Sequence, residues 1–287
     1  MVTPHRRAVV TGMPTSCDSC PSQGTAAESV RSGLTAPDRA GNNRAVEVRE
    51  LSPDDAAWVA DLMEQRRQDY VRFSPVFWRP AKNVTALHAR FLRSQITSDA
   101  SVSLRTEHGF IIAQRRTAEG TVDDFAMDRD GTWNEDGAVL LLAASERLAA
   151  AGALTQVRVV TAHADEPKAS MLASLSLHVA EQWWVQELVP AAPPGSPGAV
   201  NGTGFSGFVG PAPPVYDPGG PVLQADRLAA DADIAAIERE AAELGCVLAV
   251  IPAAPGSALS NCLRERDWSV ASDWYLGWPE AFPCPLG

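Results

Sequence analysis

Hydrophobic and polar residues alternate along residues 46–51, and this spacing of two predicts a first β-strand. Residues 52–55 read Ser-Pro-Asp-Asp, which supplies an N-cap, a proline for the first helical position and acids at the positive end of a helix. A helix is therefore predicted over residues 53–70. A second stripe of apolar residues at helical spacing predicts another helix over residues 83–97.

The middle of the chain predicts three strands joined by short turns, because apolar runs are broken there by Glu-His and by Ala-Glu-Gly. An Ala- and Leu-rich helix should follow and end at Gly152 in a left-handed C-cap. In chain order, the predicted elements are strands 101–106, 109–115 and 121–128, helix 137–151, strand 157–161, helix 168–177 and strand 179–188.

Proline and glycine dominate residues 191–220, which predicts a linker or an edge hairpin. Gly152 and Trp183 before this break correspond to Gly245 and Trp274 after it, which indicates an internal repeat. The second copy has no counterpart of the two early helices, so we predict a half-repeat. Its predicted elements are strand 222–227, helix 233–244, strand 247–251, helix 256–266 and strand 269–277.

These patterns divide the chain into four parts. Residues 1–44 lack periodicity and are rich in Ser, Thr, Gly, Pro and Arg, which predicts a disordered extension. Residues 45–190 form the predicted main domain, residues 191–220 the linker or hairpin, and residues 221–287 the truncated copy. The order of elements predicts an α/β (α+β) fold with a mixed, mostly antiparallel sheet flanked by helices.

Charge and cysteine content exclude several classes of function. The 287 residues carry a net charge of −11, which opposes binding to a phosphate backbone, so no nucleic-acid partner is expected. No run of apolar residues is long enough to cross a membrane, and no membrane partner is expected. Five scattered cysteines fit a reducing cytoplasm. Cys17 and Cys20 have the spacing of half a zinc site, but without a second pair we interpret them as free thiols and predict no metal.

The order of elements, with the opening Val-Arg-Glu-Leu-Ser-Pro-Asp-Asp, resembles the GNAT superfamily of acyl-CoA-dependent N-acyltransferases. The resemblance covers about residues 46–190, and residues 220–278 look like a truncated second copy. It implies acetyl-CoA as co-substrate, with pantetheine held by the main chain of Phe125, Ala126 and Met127. A monomer or a homodimer in the cytoplasm is expected.

The resemblance also places a diphosphate-binding turn on residues 132–137. It implies contacts from Trp133, Gly137 and Ala138, although only Gly137 matches the family's motif. Glu135 and Asp136 on this turn would oppose a polyanion, or would cap the helix that follows. The loop of the second copy retains no glycine, so that copy is expected to bind no cofactor.

Leu172 and Leu263 stand where the family often has a tyrosine that protonates the leaving thiolate. Asp123 and Asp124 are the candidate bases, because a carboxyl group facing an apolar layer has a raised pKa. The alternative is that both are solvated or bonded to the backbone. Asp226 and Asp273, later in the chain, are interpreted as solvated strand-end residues. The expected acceptor wall consists of aromatic and basic residues that suit a flat apolar substrate with a carboxylate, namely Tyr70, Arg72, Arg79, Phe77, Trp78 and Trp183. The alternative for this segment is a loop pinned to the core by its aromatics.

The sequence therefore predicts an acetyltransferase that acts on the primary amine of a small molecule by direct attack on the thioester. The alternative is a degenerate, non-catalytic module of the same fold that binds a small molecule or a protein. An aminoacyl-tRNA-dependent transferase is disfavoured by the negative charge.

Overall fold

The computed structural model describes residues 46–152, 154–229 and 232–279. Its helices and strands confirm the predicted order of elements, with ends shifted by a few residues. The helices are α1 Ala56–Phe73, α2 Val84–Ile96, α3 Ala138–Ala150, α4 Glu166–Ser174, α5 Ile234–Glu243 and α6 Ala258–Glu265. The strands are β1 Arg49–Glu50, β2 Ser101–Arg105, β3 Gly109–Arg116, β4 Glu119–Met127, β5 Gln156–Ala162, β6 His178–Glu187, β7 Gly198–Gly202, β8 Phe205–Gly210, β9 Val222–Leu228, β10 Leu248–Ala253 and β11 Ser269–Gly277.

All eleven strands form one sheet in the order β1-β2-β3-β4-β5-β11-β6-β10-β9-β8-β7. The last strand of the chain, β11, lies between β5 and β6 and is antiparallel to both. The last strand of the first copy, β6, in turn pairs with β10 of the second copy. Each copy thus completes the sheet of the other, which leaves neither copy with an open edge at the centre.

Pairing at the centre of the sheet follows a local twofold arrangement. Trp183 pairs with Ser272 and Glu181 pairs with Trp274, so Gln182 and Asp273 face each other between them. The parallel pairs β4–β5 and β9–β10 lie on opposite sides of this centre. The internal repeat seen in the sequence is therefore also a structural repeat.

Two layers of helices cover the sheet. Helices α3 and α4 bury a core with β2 to β5, whereas α5 and β8 to β10 share a second core around Trp184 and Ile237. Helices α1 and α2 pack on the strands β3 and β4 through Leu92 and Phe110, which belong to a separate cluster. Both faces of the first copy are consequently covered, as its apolar strands require.

The segment predicted as a linker or an edge hairpin contains the hairpin β7–β8 at one edge of the sheet. The residues after it dock on the loop between α1 and α2, where Ala81 N–H donates to Val215 C=O at 3.1 Å. Pro80 and Tyr216 form an isolated bridge beside this bond. The domain boundaries given above remain a prediction.

Two local expectations are wrong. Gly152 does not have the positive φ expected of a left-handed C-cap, because its N–H donates to Ala149 C=O and continues the helical turn. Gly245, after α5, does adopt φ +78°. Asp273, interpreted from the sequence as a solvated strand-end residue, is buried and bonded to two side chains.

Candidate active site

The strands β4 and β5 part in the middle of the sheet. Their parallel pairing ends at Val122 and Val159. Asp123 follows as the extra residue of a β-bulge, since β3 pairs Ala113 with Val122 and Ile112 with Asp124. Among the described residues, β4 from this bulge to Met127 has no strand partner on the β5 side. Its main chain is the edge that the family resemblance assigns to pantetheine.

The two adjacent aspartates of β4 have different surroundings. Asp123 is exposed, but protein atoms lie close enough to remove part of its hydration. This partial desolvation, together with the charge of Asp124, raises the pKa of Asp123 to about 6. Asp124 is buried and lies 3.1 Å from His88 Nε2. Of the two predicted bases, Asp123 is thus the one that water and a substrate can reach.

A buried chain of polar side chains holds Asp124 in place. Arg67, which is fully buried on α1, donates to His88 Nδ1. Because a guanidinium can only donate, Nδ1 is the acceptor and the proton of neutral His88 resides on Nε2, facing Asp124. Tyr216 bonds to the same arginine, and burial raises the pKa of its phenol. Residues from four separate segments therefore converge below the bulge.

Lys168 bridges the parted strands. Its Nζ donates to Val160 C=O of β5 at 2.9 Å and lies 5.2 Å from the ring centre of Phe125 on β4. The residue is buried, and desolvation lowers the pKa of its amine to about 7. The carboxylates of Asp165, Asp123 and Asp124 oppose this shift, whereas Arg66 adds to it.

Arg66 enters the same space from α1. Its guanidinium pairs with Asp165 at the start of α4 and lies 5.3 Å from the Trp133 ring and 5.1 Å from the Tyr70 ring. Burial raises the pKa of Tyr70 to about 12. Trp133 packs edge-on against Phe125 at 4.9 Å. In this arrangement, side chains of the chain itself occupy much of the gap between the strands.

Three backbone amides of the turn before α3, residues 132–137, donate hydrogen bonds within the turn itself. Glu135 N–H donates to Thr132 Oγ1 at 3.2 Å, and Thr132 N–H donates to Asp136 Oδ2 at 3.2 Å. Gly137 N–H donates to Thr132 C=O at 3.1 Å, which closes a π-helical turn. The amides of Thr132, Glu135 and Gly137 are thus already bonded, and two carboxylates stand beside them, which is a poor match for a diphosphate because that group needs free donors. The β4 edge fits a pantetheine arm, but this turn does not fit the diphosphate of coenzyme A.

The residues predicted to hold the cofactor are close together but largely buried. Phe125, Ala126 and Met127 lie in the sheet, and a Cβ added at Gly137 would approach Trp133 Cε3 to 2.9 Å. Ala138 is half-buried at the start of α3. The leucines at the family's tyrosine position, Leu172 and Leu263, are both fully buried.

Four of the six residues predicted to contact the acceptor form one aromatic row. Ring centres are 5.1 Å apart for Tyr70 and Trp78, 4.7 Å for Phe77 and Trp78, and 6.3 Å for Phe77 and Trp183. Trp78 also donates from Nε1 to Ala271 C=O at 3.0 Å, which ties the loop to the sheet. The other two, Arg72 and Arg79, are exposed and lie outside the row. Arg72 pairs with Asp69, and Arg79 Nε donates to Asp217 C=O.

A histidine–aspartate pair lies at the end of β5. His163 Nδ1 is 2.8 Å from Asp273 Oδ2, and this bond raises the pKa of the imidazole. Gln182 Nε2 donates to the other oxygen of Asp273 at 2.9 Å. The histidine and the aspartate come from different copies, so the exchanged strands bring them together.

Sequence reasoning missed the ionisable groups that the fold brings together, namely Arg66, Arg67, His88, His163, Asp165, Lys168 and Asp273. The partners are separated along the chain by up to 110 residues, as in the His163–Asp273 pair, so spacing gave no signal. Lys168 could have been found, because a lysine one turn before Leu172 lies on the same apolar helix face.

Within the described ranges, no group of three or more His, Cys, Asp or Glu residues is suited to hold a metal ion. Cys17 and Cys20 lie outside the described residues. No described helix is both long and apolar enough to span a bilayer.

Comparison with known proteins places the fold. No protein-family model and no curated protein matches the chain. A solved structure assigned as an acetyltransferase from Thermoplasma acidophilum is similar, with a TM-score of 0.51 and 11% identity over 80% of this chain and 98% of that one. A tandem GNAT protein from the clavulanic acid biosynthesis pathway aligns with a TM-score of 0.46 and 13% identity over 84% of this chain and 100% of that one.

A PaiA N-acetyltransferase from Thermoplasma acidophilum, solved in complex with coenzyme A, covers 47% of this chain and 91% of its own, with a TM-score of 0.38 and 15% identity. The chain has the GNAT fold with a second GNAT-like copy, as its sequence predicted.

Proposed function

We propose that the chain is an N-acyltransferase that transfers an acetyl group from a thioester to the primary amine of a small molecule. The observation that carries this proposal is Asp123. It is an accessible carboxyl group with a pKa of about 6, placed at the bulge where β4 and β5 part. A base that is ionised at neutral pH and still retains appreciable proton affinity suits deprotonation of an ammonium group.

The chain's own residues supply binding and proton transfer. The amine lies beside Asp123, which accepts its proton as the nitrogen attacks the thioester carbon. The half-buried rings of Phe77 and Trp183 favour an acceptor with a flat apolar part. A carboxylate on that acceptor is not part of the proposal, because both arginines are engaged elsewhere. Arg72 pairs with Asp69, and Arg79 Nε donates to Asp217 C=O.

Acetyl-CoA is the donor we propose, because the unpaired edge of β4 offers its main chain to the pantetheine amides. The 132–137 turn has no role in this proposal, since it does not fit the diphosphate. S-acetylpantetheine, which lacks the diphosphate, should therefore serve about as well as acetyl-CoA.

The same turn favours a second candidate, a non-catalytic module. Its carboxylates and capped amides, with Trp133 and Arg66 packed into the gap, are the arrangement expected of a cleft that no longer receives a cofactor. Such a module would bind neither thioester.

The test is a transfer assay with 2-phenylethylamine as acceptor and each thioester as donor. Asp123→Asn should lower the rate by about 100-fold or more, because the amide cannot accept the proton. Asp226→Asn is the matched control, since Asp226 is the exposed bulge residue of β9 in the second copy. In the wild type, the rate should fall as pH decreases through about 6, where Asp123 becomes protonated.

Calorimetric titration with the same donors separates the two candidates. One binding site for acetylpantetheine per chain supports the transferase. No binding of either thioester at millimolar concentration, together with no transfer, would overturn it and leave the non-catalytic module.

A further inference from the structure

The reaction proposed above leaves a thiolate that needs a proton, and the position of the family's tyrosine holds Leu172. Lys168 is four residues earlier, on the same face of α4, and both side chains are buried. A group at Lys168 therefore approaches the cleft from the same helix.

The Lys168 amine lies in the gap itself. It bonds to Val160 C=O, the first carbonyl of β5 beyond the last β4–β5 pair, and it faces Phe125 on the free edge of β4. A thioester whose arm follows that edge brings its sulfur between the same two strands.

We propose that Lys168 is the proton donor to the leaving thiolate, in place of the tyrosine that α4 lacks. This inference rests on the proposed transferase function. The amine nitrogen forms the new C–N bond while the C–S bond breaks and its electron pair goes to sulfur. The proton of the attacking nitrogen goes to Asp123, and a proton of the Lys168 ammonium goes to sulfur. Exchange with water then restores both groups.

The electrostatics of the gap suit this role. The charged groups that act on Lys168 are Asp165 on its own helix, Arg66 from α1 and the two aspartates of β4. Burial and the electrostatic effects of these charges together give the Lys168 amine a pKa of about 7. An ordinary thiol has a pKa of about 8.5, so the proton moves downhill from the ammonium to the thiolate.

The experiment compares wild type with Lys168→Gln over a range of pH, with S-acetylpantetheine and 2-phenylethylamine. Glutamine keeps a polar N–H donor on the side chain but has no acidic proton to transfer. The wild-type rate should exceed the variant's by about 100-fold at pH 6.5. The ratio should fall towards one by pH 9, since the wild-type lysine is then neutral. Titration of the acceptor amine affects both proteins equally and cancels in the ratio.

Lys82→Gln, at an exposed position, is the matched control and should equal wild type at every pH. Thermal denaturation checks that Lys168→Gln is folded, and Lys168→Met replaces it if it is not. A ratio that stays constant with pH overturns the role of Lys168 but leaves the transferase intact. No transfer by wild type, together with no binding of either thioester, overturns the transferase and the role of Lys168 with it.

Discussion

At the residue scale, three ionisable groups at the parted strands differ because their partners differ. Asp124 is paired with His88, Asp123 faces solvent beside a second carboxylate, and Lys168 is buried against a carbonyl. Environments that bring the pKa values of a base and an acid towards neutrality are typical of catalytic sites. The chemistry of the cleft therefore depends on burial as much as on residue type.

Lys168 should make stability depend on pH. Its pKa is about 7 in the folded chain and 10.5 ordinarily, so between these values the unfolded chain binds a proton that the folded chain does not. The free energy of unfolding of wild type should therefore rise relative to Lys168→Met as pH increases, by about 2 kcal/mol from pH 7 to pH 9. Urea denaturation of both proteins at pH 7, 8 and 9 measures this. Parallel profiles would show that the lysine is not desolvated.

At the element scale, the two copies share the same structural feature, a β-bulge. In each copy the strand before a helix carries a bulge whose extra residue is an aspartate, Asp123 in β4 and Asp226 in β9. In each copy the parallel pairing with the next strand is short and ends just before the bulge, at Val122 in β4 and at Gln224 in β9. Beyond that point the described residues of the two strands are not paired. Among the described residues, only the first copy has helices comparable to α1 and α2 over its other face, and in that part of the chain only its bulge is flanked by a buried polar network.

Helix ends also differ between the copies, and this difference is testable. Gly245 after α5 has φ +78°, and a Cβ there would lie 2.8 Å from the backbone of Pro193 and Pro194. Gly245→Ala should destabilise the protein by about 1–3 kcal/mol. Gly152→Ala is the matched change after α3. There the Cβ meets only the flexible end of Arg115, so a cost below about 1 kcal/mol is expected. Equal decreases in the free energy of unfolding of the two variants, measured by urea denaturation, would contradict the assignment of left-handed strain to Gly245 and not to Gly152.

At the scale of the whole molecule, exchange of β6 and β11 joins the copies. The strand from the second copy supplies Asp273 to His163 and Ala271 C=O to Trp78, so both the end of β5 and the acceptor loop depend on it. The half-repeat therefore helps to build the candidate site.

This exchange predicts that a cut between the copies will not separate them. A protease site inserted between Gly195 and Ser196 lies in an exposed stretch where an added Cβ at Gly195 meets no atom within 4 Å. After cleavage, the two fragments should elute together on size exclusion, because β6 and β5 remain hydrogen-bonded to strands of the other fragment. Cleavage in urea should separate them. Two peaks in native buffer would show that the exchanged strands contribute little to association.

Much of the fold could be predicted because it is encoded locally. The capping residues 52–55, the helical stripe of α3 and the alternation in β6 and β11 each act over a few neighbours, and the structure places elements there. The repeat was visible for the same reason, since Gly245 and Trp274 recur at similar spacing. Asp123 and the aromatic row were identified because family likeness and residue type both pointed to β4 and to the α1–α2 loop.

The sequence by itself determined the elements, their order and the acidic character of the 132–137 turn, because each follows from residue type and near neighbours. Only the tertiary structure decided which strands adjoin, since pairing energies are similar for many partners and the register depends on the whole sheet. It likewise decided which charges are buried. Arg66 meets Asp165 and Lys168 meets Val160 only once α1, α4 and β5 are packed, and packing then sets the proton affinities on which the proposed chemistry depends.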